Sequence, residues 1–204
     1  MIKNIVFDLG NVVFKLKFEN IIKKFTQNEE EIKLLKETIF DSNEWIKLDD
    51  GAITKEEGVN TMVSKLPENL HQTCREIMNC WTEEGLVLNE QTLQFIKKVR
   101  EEGYKTFILS NAPLEIPIFL EKIGVLQYFD GKIISAEEKL SKPDSKIYEL
   151  LLSRFNLKAE ECFFIDDRRE NIESAIKCGL NGFIFDYNEF DKLLVEIKKY
   201  GIKI

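Results

Sequence analysis

The stretch Cys162-Phe163-Phe164-Ile165-Asp166-Asp167-Arg168-Arg169-Glu170-Asn171 decides the fold. A short apolar run breaks abruptly into two acids, and beyond it Ile172, Ala175 and Ile176 recur at helical spacing until Gly179. The same unit is repeated along the chain. Ile5-Val6-Phe7 ends in Asp8, Thr106 to Leu109 ends in Ser110-Asn111, and Ile133-Ile134 and Phe183 to Phe185 are shorter runs of the same kind. Helical patterns separate them: Leu93, Ile96 and Val99 before Gly103, then Ile116 to Ile123, then Ile147, Leu151 and Phe155. A last one carries Phe190, Leu193, Leu194 and Ile197. Parallel strands need crossover connections, so this alternation predicts an α/β fold with a Rossmann-like parallel sheet flanked by helices.

Residues 15 to 85 read differently. Val59, Met62, Val63 and Leu66 follow the i, i+3, i+4, i+7 pattern, as do Cys74, Ile77, Met78 and Trp81. Thr54 with Glu57 three residues on forms a capping box. A first strand whose chain leaves for some seventy helical residues predicts an inserted all-α cap over 15–85, with the core formed by 1–14 and 86–204. Hinges are expected at Val12 to Leu16 and Gly85 to Leu88.

A chain of 204 residues with 44% hydrophobic content is long enough for a core carrying such an insertion. Its formal charge of −7, without a run of Lys or Arg, argues against nucleic acid and anionic lipid as partners. The apolar run before Asp8 is too short for a signal peptide or a membrane span, which makes a cytoplasmic location the expectation. Cys74, Cys80, Cys162 and Cys178 contain no C-x-x-C pair and are read as free thiols. His71, the one histidine, rules out a two-His zinc motif and is expected to be exposed in a polar connector. Catalysis is left to carboxylates, hydroxyls and amines.

In open parallel sheets the ligand crevice lies beyond the carboxyl ends of the strands. Asp8, Ser110 and the Asp166-Asp167 pair end three separate runs, so they are expected in one crevice, with Lys142 of Ser-Lys-Pro-Asp on its rim. Taken singly, Asp8 is an ordinary turn or cap residue, Lys142 a solvated lysine and Asn171 a possible helix cap. Taken jointly, carboxylates held close together repel unless a cation neutralises them. A hard divalent ion with oxygen ligands, Mg²⁺, is the natural occupant, and an aspartate facing a bound phosphate can act as nucleophile. Trp45, Asp49 and Asp50 lie where a cap loop reaches the crevice, but a tryptophan beside polar residues more often pins a helix end than meets a substrate, and the three carry little weight as site residues. Arg168 and Arg169 are read as surface charge.

At this point the run Phe7-Asp8-Leu9-Gly10-Asn11-Val12, with Ser110, Lys142-Pro143-Asp144 and Phe164 to Asn171, resembles the four ordered motifs of the haloacid dehalogenase superfamily. That resemblance implies Asp8 as nucleophile and metal ligand, and the Gly10 carbonyl and Asp167 as further ligands. Asp166 would act through water or hydrogen bonding, with Asn171 supporting its loop. Ser110, Asn111 and Lys142 would hold phosphoryl oxygens. A helical insertion after the first motif resembles the C1-type caps. The Asp-Leu-Gly-Asn-Val wording and Asp50-Gly-Ala-Ile-Thr54 are similar to bacterial sugar-phosphate phosphatases, glucose-1-phosphate phosphatases among them, and to the phosphatase domain of soluble epoxide hydrolases.

One position departs from the pattern. Phosphatases of this superfamily carry a second aspartate two residues after the nucleophile, as acid and base, and here Gly10 stands there. A good leaving group, a cap residue or water in place of the acid, and impaired turnover are three readings of that change. The expected function is Mg²⁺-dependent hydrolysis of a small phosphorylated metabolite. The alternatives are a non-catalytic phosphometabolite-binding or regulatory protein, and a dehalogenase or phosphonatase type of hydrolase.

Overall fold

The computed structural model describes residues 1–204. Strand β1 (Asn4–Phe7) is followed by β2 (Phe14–Leu16) and helices α1 (Phe18–Ile22), α2 (Glu29–Ile39), α3 (Asn43–Asp49), α4 (Lys55–Ser64) and α5 (His71–Gly85). After β3 (Leu86–Leu88) and α6 (Glu90–Glu101), strand and helix alternate. The order is β4 (Lys105–Ser110), α7 (Glu115–Lys122), β5 (Gly131–Ile134), α8 (Ser135–Glu138), α9 (Ser145–Arg154), β6 (Cys162–Asp166), α10 (Arg169–Lys177), β7 (Asn181–Ile184) and α11 (Phe190–Lys199).

The main sheet runs β5-β4-β1-β6-β7 and every pairing in it is parallel. Strand β1 lies in the middle, with Phe7 opposite Ile108 of β4 on one side and Ile165 of β6 on the other. Successive strand residues point to opposite faces, and both faces are apolar. Phe7, Ile108 and Ile165 pack with Phe95 and Ile96 of α6 and Leu193 of α11. Val6, Leu109 and Phe164 pack on the other side with Tyr148 of α9 and Ile172 of α10. This two-sided burial is why the strands read as unbroken apolar runs, and it confirms the α/β expectation.

Between β2 and β3 the chain is helical. The capping box at the start of α4 is formed, with Thr54 Oγ1 accepting from Glu57 N at 3.2 Å and Glu57 Oε2 accepting from Thr54 N at 2.8 Å. The stripe Cys74, Ile77, Met78 and Trp81 of α5 is buried as its spacing predicts. The apolar cluster on the α6 face of the sheet continues without a break into Met62, Ile77 and Trp81.

No residue pattern signals that the outgoing and returning chains pair. Strands β2 and β3 form an antiparallel ribbon with Phe14 opposite Leu88 and Leu16 opposite Leu86. Lys17 N donates to Gly85 O at 2.7 Å below it, and the Asn89 side chain donates to Val12 O at 3.1 Å above it. Three-residue strands are too short to carry a readable period. His71 is not in an exposed connector: it opens α5, half-buried, with Nε2 2.9 Å from Leu66 O. The fifth main-sheet strand falls at Asn181–Ile184, slightly before the run Phe183 to Phe185. All four cysteines are free thiols, Cys74 and Cys162 buried. No helix is long and apolar enough to cross a membrane.

Candidate active site

Since β4, β1 and β6 are parallel neighbours, their carboxyl ends open side by side. Asp8 extends the β1 ladder by one bond, its N–H donating to Ile165 O at 2.9 Å. Its side chain therefore projects at the strand tip beside those of Asp166 and Asp167. One carboxylate oxygen from each of the three lies within 4.8 Å of the others. Ser110, at the tip of β4, is buried in the same region.

Lys142 reaches this cluster from the loop before α9 and is only 4% exposed. Its ammonium makes three hydrogen bonds, to Asp8 Oδ1 at 2.8 Å, Asp166 Oδ2 at 2.7 Å and Leu109 O at 2.8 Å. Three donors thus meet three acceptors, the condition for burying an ammonium. The loop is held by Asn111, whose carboxamide accepts from Lys142 N and donates to Lys142 O, both at 2.8 Å. That occupies most of a side chain expected to hold phosphate, and leaves it one free N–H.

Asp166 is fully buried, with Arg168 N 2.8 Å from Oδ1 and Asn171 Nδ2 3.0 Å from both oxygens. The Asn171 side chain bonds to Asp166 rather than capping a helix end, and its own Oδ1 is buried without a partner. Asp167 takes its bond from Asn11 Nδ2 at 2.9 Å. Asn11 adopts a left-handed backbone (φ 53°), a conformation asparagine tolerates better than most residues. Asn11 belongs to the first motif, but no spacing or period in the sequence assigns it this role. Arg168 and Arg169 are exposed and pair with Glu170 and Glu173, and Arg168 also lines the polar crevice beside Asp167, whose carboxyl its charge lowers.

Electrostatically the cluster is one cation short of balance. Three carboxylates face a single ammonium, leaving two formal negative charges in a buried setting. Burial, opposed by Lys142 and reinforced by Asp166 and Asp167, pushes the Asp8 carboxyl from the ordinary 3.8 up to about 6. Burial also raises Asp167, against the Asn11 hydrogen bond. Lys142 is raised because the two carboxylates outweigh its desolvation. A divalent ion with oxygen ligands fits this donor set and its charge, and Mg²⁺ is the match by chemistry.

A pH dependence follows. A carboxyl whose folded pKa lies above its unfolded value binds protons more tightly in the native state, so stability falls as pH rises from about 4 to about 6. The Asp8 rise alone corresponds to about 3 kcal/mol once the group is ionised. Urea midpoints in chelator should drop across this window, and Mg²⁺ at pH 7.5 should recover the loss. A midpoint that rises with pH, with no response to Mg²⁺, contradicts the charge imbalance.

One cavity opens at the cluster and a second adjoins it. The larger, about 550 Å³, is polar and exposes Asp8, Lys142, Asp167 and Asp144. The smaller, about 110 Å³, is mainly apolar. Their shared wall is Gly10, Leu16, Asp49 and Asn111. Asp49 is the last residue of α3, and this helix end and the turn after it are docked on the core: Ser135 Oγ donates to Asp49 O, and Ser141 Oγ donates to Asp50 Oδ1. Gly51 (φ 63°) allows that approach, since a Cβ there would sit 2.4 Å from Ala136 O. Burial, Asp50 and Asp8 together push the Asp49 carboxyl well above the usual range. Asp49, the last residue of α3, therefore faces the crevice that its segment is expected to reach. Trp45 packs against Phe18, Phe40 and Trp81 and also lines the smaller cavity.

Among known proteins, a family model described as haloacid dehalogenase-like hydrolase matches residues 2–179. A sesquiterpene phosphatase of Aspergillus oryzae is 26% identical over 187 residues, 88% of each chain. A glyceraldehyde 3-phosphate phosphatase of Pyrococcus furiosus is 30% identical over 106 residues, 51% of this chain and 44% of its own. A variant of a HAD family enzyme of Bacteroides thetaiotaomicron, solved with magnesium and inorganic phosphate, is 25% identical with a TM-score of 0.70, covering 93% of this chain and 96% of its own.

Proposed function

This chain belongs to the haloacid dehalogenase-like hydrolases, and from that premise we propose that it hydrolyses a small phosphate monoester through an aspartyl-phosphate on Asp8. The supporting observation is the Asp8–Lys142 ion pair at a strand tip beside two further carboxylates. Asp8, the Gly10 carbonyl and Asp167 would hold Mg²⁺, with Asp166 behind them fixing Lys142 and the loop. Bound there, the ion supplies positive charge to the phosphoryl oxygens and to the crowded carboxylates.

Lys142 holds Asp8 Oδ1 and leaves Oδ2 open toward Gly10. In the first step an Asp8 oxygen bonds to phosphorus while the ester P–O bond breaks and the alcohol leaves. In the second, water attacks the same phosphorus, phosphate departs and the Asp8 carboxylate returns. With its three N–H groups on Asp8, Asp166 and Leu109, the Lys142 ammonium attracts the phosphoryl oxygens by its charge, the Ser110 hydroxyl holds a non-bridging oxygen, and Asn111 acts chiefly by fixing the Lys142 backbone. Gly10 brings no carboxyl to the leaving oxygen. Asp49, in the wall between the cavities, takes that place as proton donor.

The segment 15–85 acts as the cap, turning about the β2–β3 ribbon. In the present arrangement the Asp49-Asp50-Gly51 turn is seated on Ser135, Ala136 and Ser141, which shields the intermediate from stray water. A sugar phosphate such as glucose-1-phosphate is the substrate that the sequence resemblance suggests, whereas the relatives named above act on terpene and triose phosphates.

The test is turnover of a panel of terpenoid, sugar, triose and nucleotide phosphates with Mg²⁺ and with chelator. Release of phosphate from at least one ester, abolished by chelator, is expected. Gly10 favours a second reading, a binding protein without turnover. Acid-stable, hydroxylamine-sensitive labelling of Asp8 by acetyl phosphate separates the two, since a mere binder takes no label.

Lys142→Met should lower kcat/KM by about 10²- to 10³-fold, the scale on which loss of one transition-state donor is felt. It also leaves Asp8 and Asp166 without their buried counter-ion, a cost of about 3–5 kcal/mol that Mg²⁺ would partly offset. Kinetics and thermal melting of the variant check both, and unchanged kcat/KM would remove Lys142 from the phosphate site.

A further inference from the structure

Resting on the phosphomonoesterase reading above, we infer that the alcohol half of the substrate is a compact apolar group, a ring or branched chain of about five or six carbons, seated in the smaller cavity. Position is the first argument. Gly10 and Asn111 line both cavities, so a phosphate held at Asp8, Lys142 and Ser110 projects its ester oxygen over that shared wall.

Composition is the second. Beyond the wall the lining is Phe14, Phe18, Trp45, Trp81, Leu86 and Ile116. The aromatic members brace one another: Phe18 stacks on Phe40 with centroids 4.0 Å apart, and Trp45 meets Trp81 edge-on at 4.9 Å. This surface is already formed, with little freedom left to lose on binding. Apart from the indole N–H groups of Trp45 and Trp81, polar side chains enter the lining as Asp49, Ser110 and Asn111. The last two lie at the phosphate end, and the Asn111 carboxamide is already bonded twice to Lys142. A hexose would bury several hydroxyls against one carboxyl, and one unmatched hydroxyl in an apolar pocket already costs about 10²-fold.

Size is the third. An apolar cavity of about 150 Å³ accepts a benzene ring. This one, about 110 Å³ and open at the wall, takes a group of that order and no long chain. A phenol or a short branched alcohol fits. A fifteen-carbon chain requires the helical segment to move off.

Trp45 and Trp81 are the two tryptophans of the chain and both face the cavity, so their emission reports its occupancy independently of turnover. Phenylphosphonate and 3-methylbutylphosphonate should shift that emission in the Mg²⁺-loaded protein at concentrations where inorganic phosphate leaves it unchanged. Phenyl phosphate and 3-methylbutyl phosphate should be hydrolysed with kcat/KM about 10²-fold or more above glucose-1-phosphate. Equal or better turnover of the sugar phosphate overturns this inference and leaves the phosphatase reading standing. Emission shifts with no hydrolysis of any ester overturn the phosphatase reading and leave the apolar site standing. Neither shift nor hydrolysis overturns both.

Discussion

Asp8→Asn is expected to lower kcat by about 10⁴-fold or more, on the scale of losing a covalent nucleophile, while the protein stays folded. The amide nitrogen and oxygen are poor nucleophiles, and no second carboxylate can inherit the task. Asp166 is fully buried with both oxygens bonded to Asn171, and Asp167 is tied to Asn11. Stability should move the other way. The substitution removes one of three clustered negative charges, two of them buried, while Lys142 keeps Asp166 and the Leu109 carbonyl. Metal-free Asp8→Asn should therefore match or exceed wild type at pH 7.5, and its urea midpoint should vary less between pH 4 and 6. Loss of activity together with loss of fold would say only that Asp8 is structural. Residual kcat within tenfold of wild type would end the proposed mechanism.

What could be read without coordinates follows from where the chain punishes a polar residue. An apolar run that stops at an acid or a hydroxyl marks a strand tip, because only there does the side chain escape the two covered faces of the sheet. Asp8, Ser110, Asp166 and Asp167 were legible for that reason, and the parallel order of β4, β1 and β6 brings them together. Lys142 was legible only through its motif, since nothing in Ser-Lys-Pro-Asp distinguishes a buried lysine from a solvated one. Contacts made by loops were not legible. Asn11 is placed by a left-handed turn, Asn111 by backbone bonds to a segment 31 residues away, and Asp49 by a turn that depends on Gly51 meeting Ala136. None of these has a period, and each depends on an approach between segments that only tertiary packing sets. The β2–β3 ribbon was hidden for the same reason, its three-residue strands being stabilised by a pairing 72 residues apart rather than by pattern.

Gly10→Asp is the sharper experiment, because it restores at one position what the sequence lacks. A Cβ at residue 10 meets nothing closer than Leu16 Cδ1 at 3.6 Å and Asp8 Oδ2 at 3.9 Å, so a side chain enters without displacing backbone. It would stand in the wall that Asp49 already shares. If Asp49 protonates the leaving oxygen, Asp49→Asn should lower kcat for an alkyl phosphate by about 10²- to 10⁴-fold. The same variant should barely affect p-nitrophenyl phosphate, whose leaving group needs no proton. Adding Gly10→Asp to Asp49→Asn should then recover most of the alkyl phosphate rate, whereas Gly10→Asp alone should change it little. Full alkyl phosphate turnover by Asp49→Asn would exclude Asp49 as the donor. Failure of the double variant to recover would mean that a carboxyl at residue 10 does not reach the leaving oxygen in place of Asp49, whose seating on Ser135 is through its backbone carbonyl and survives the substitution. The new carboxylate also deepens the local excess of negative charge, so Gly10→Asp should bind Mg²⁺ more tightly and lose metal-free stability above pH 6. A gain in rate without that gain in metal affinity would place the added carboxyl away from the cluster, at the alcohol side of the wall.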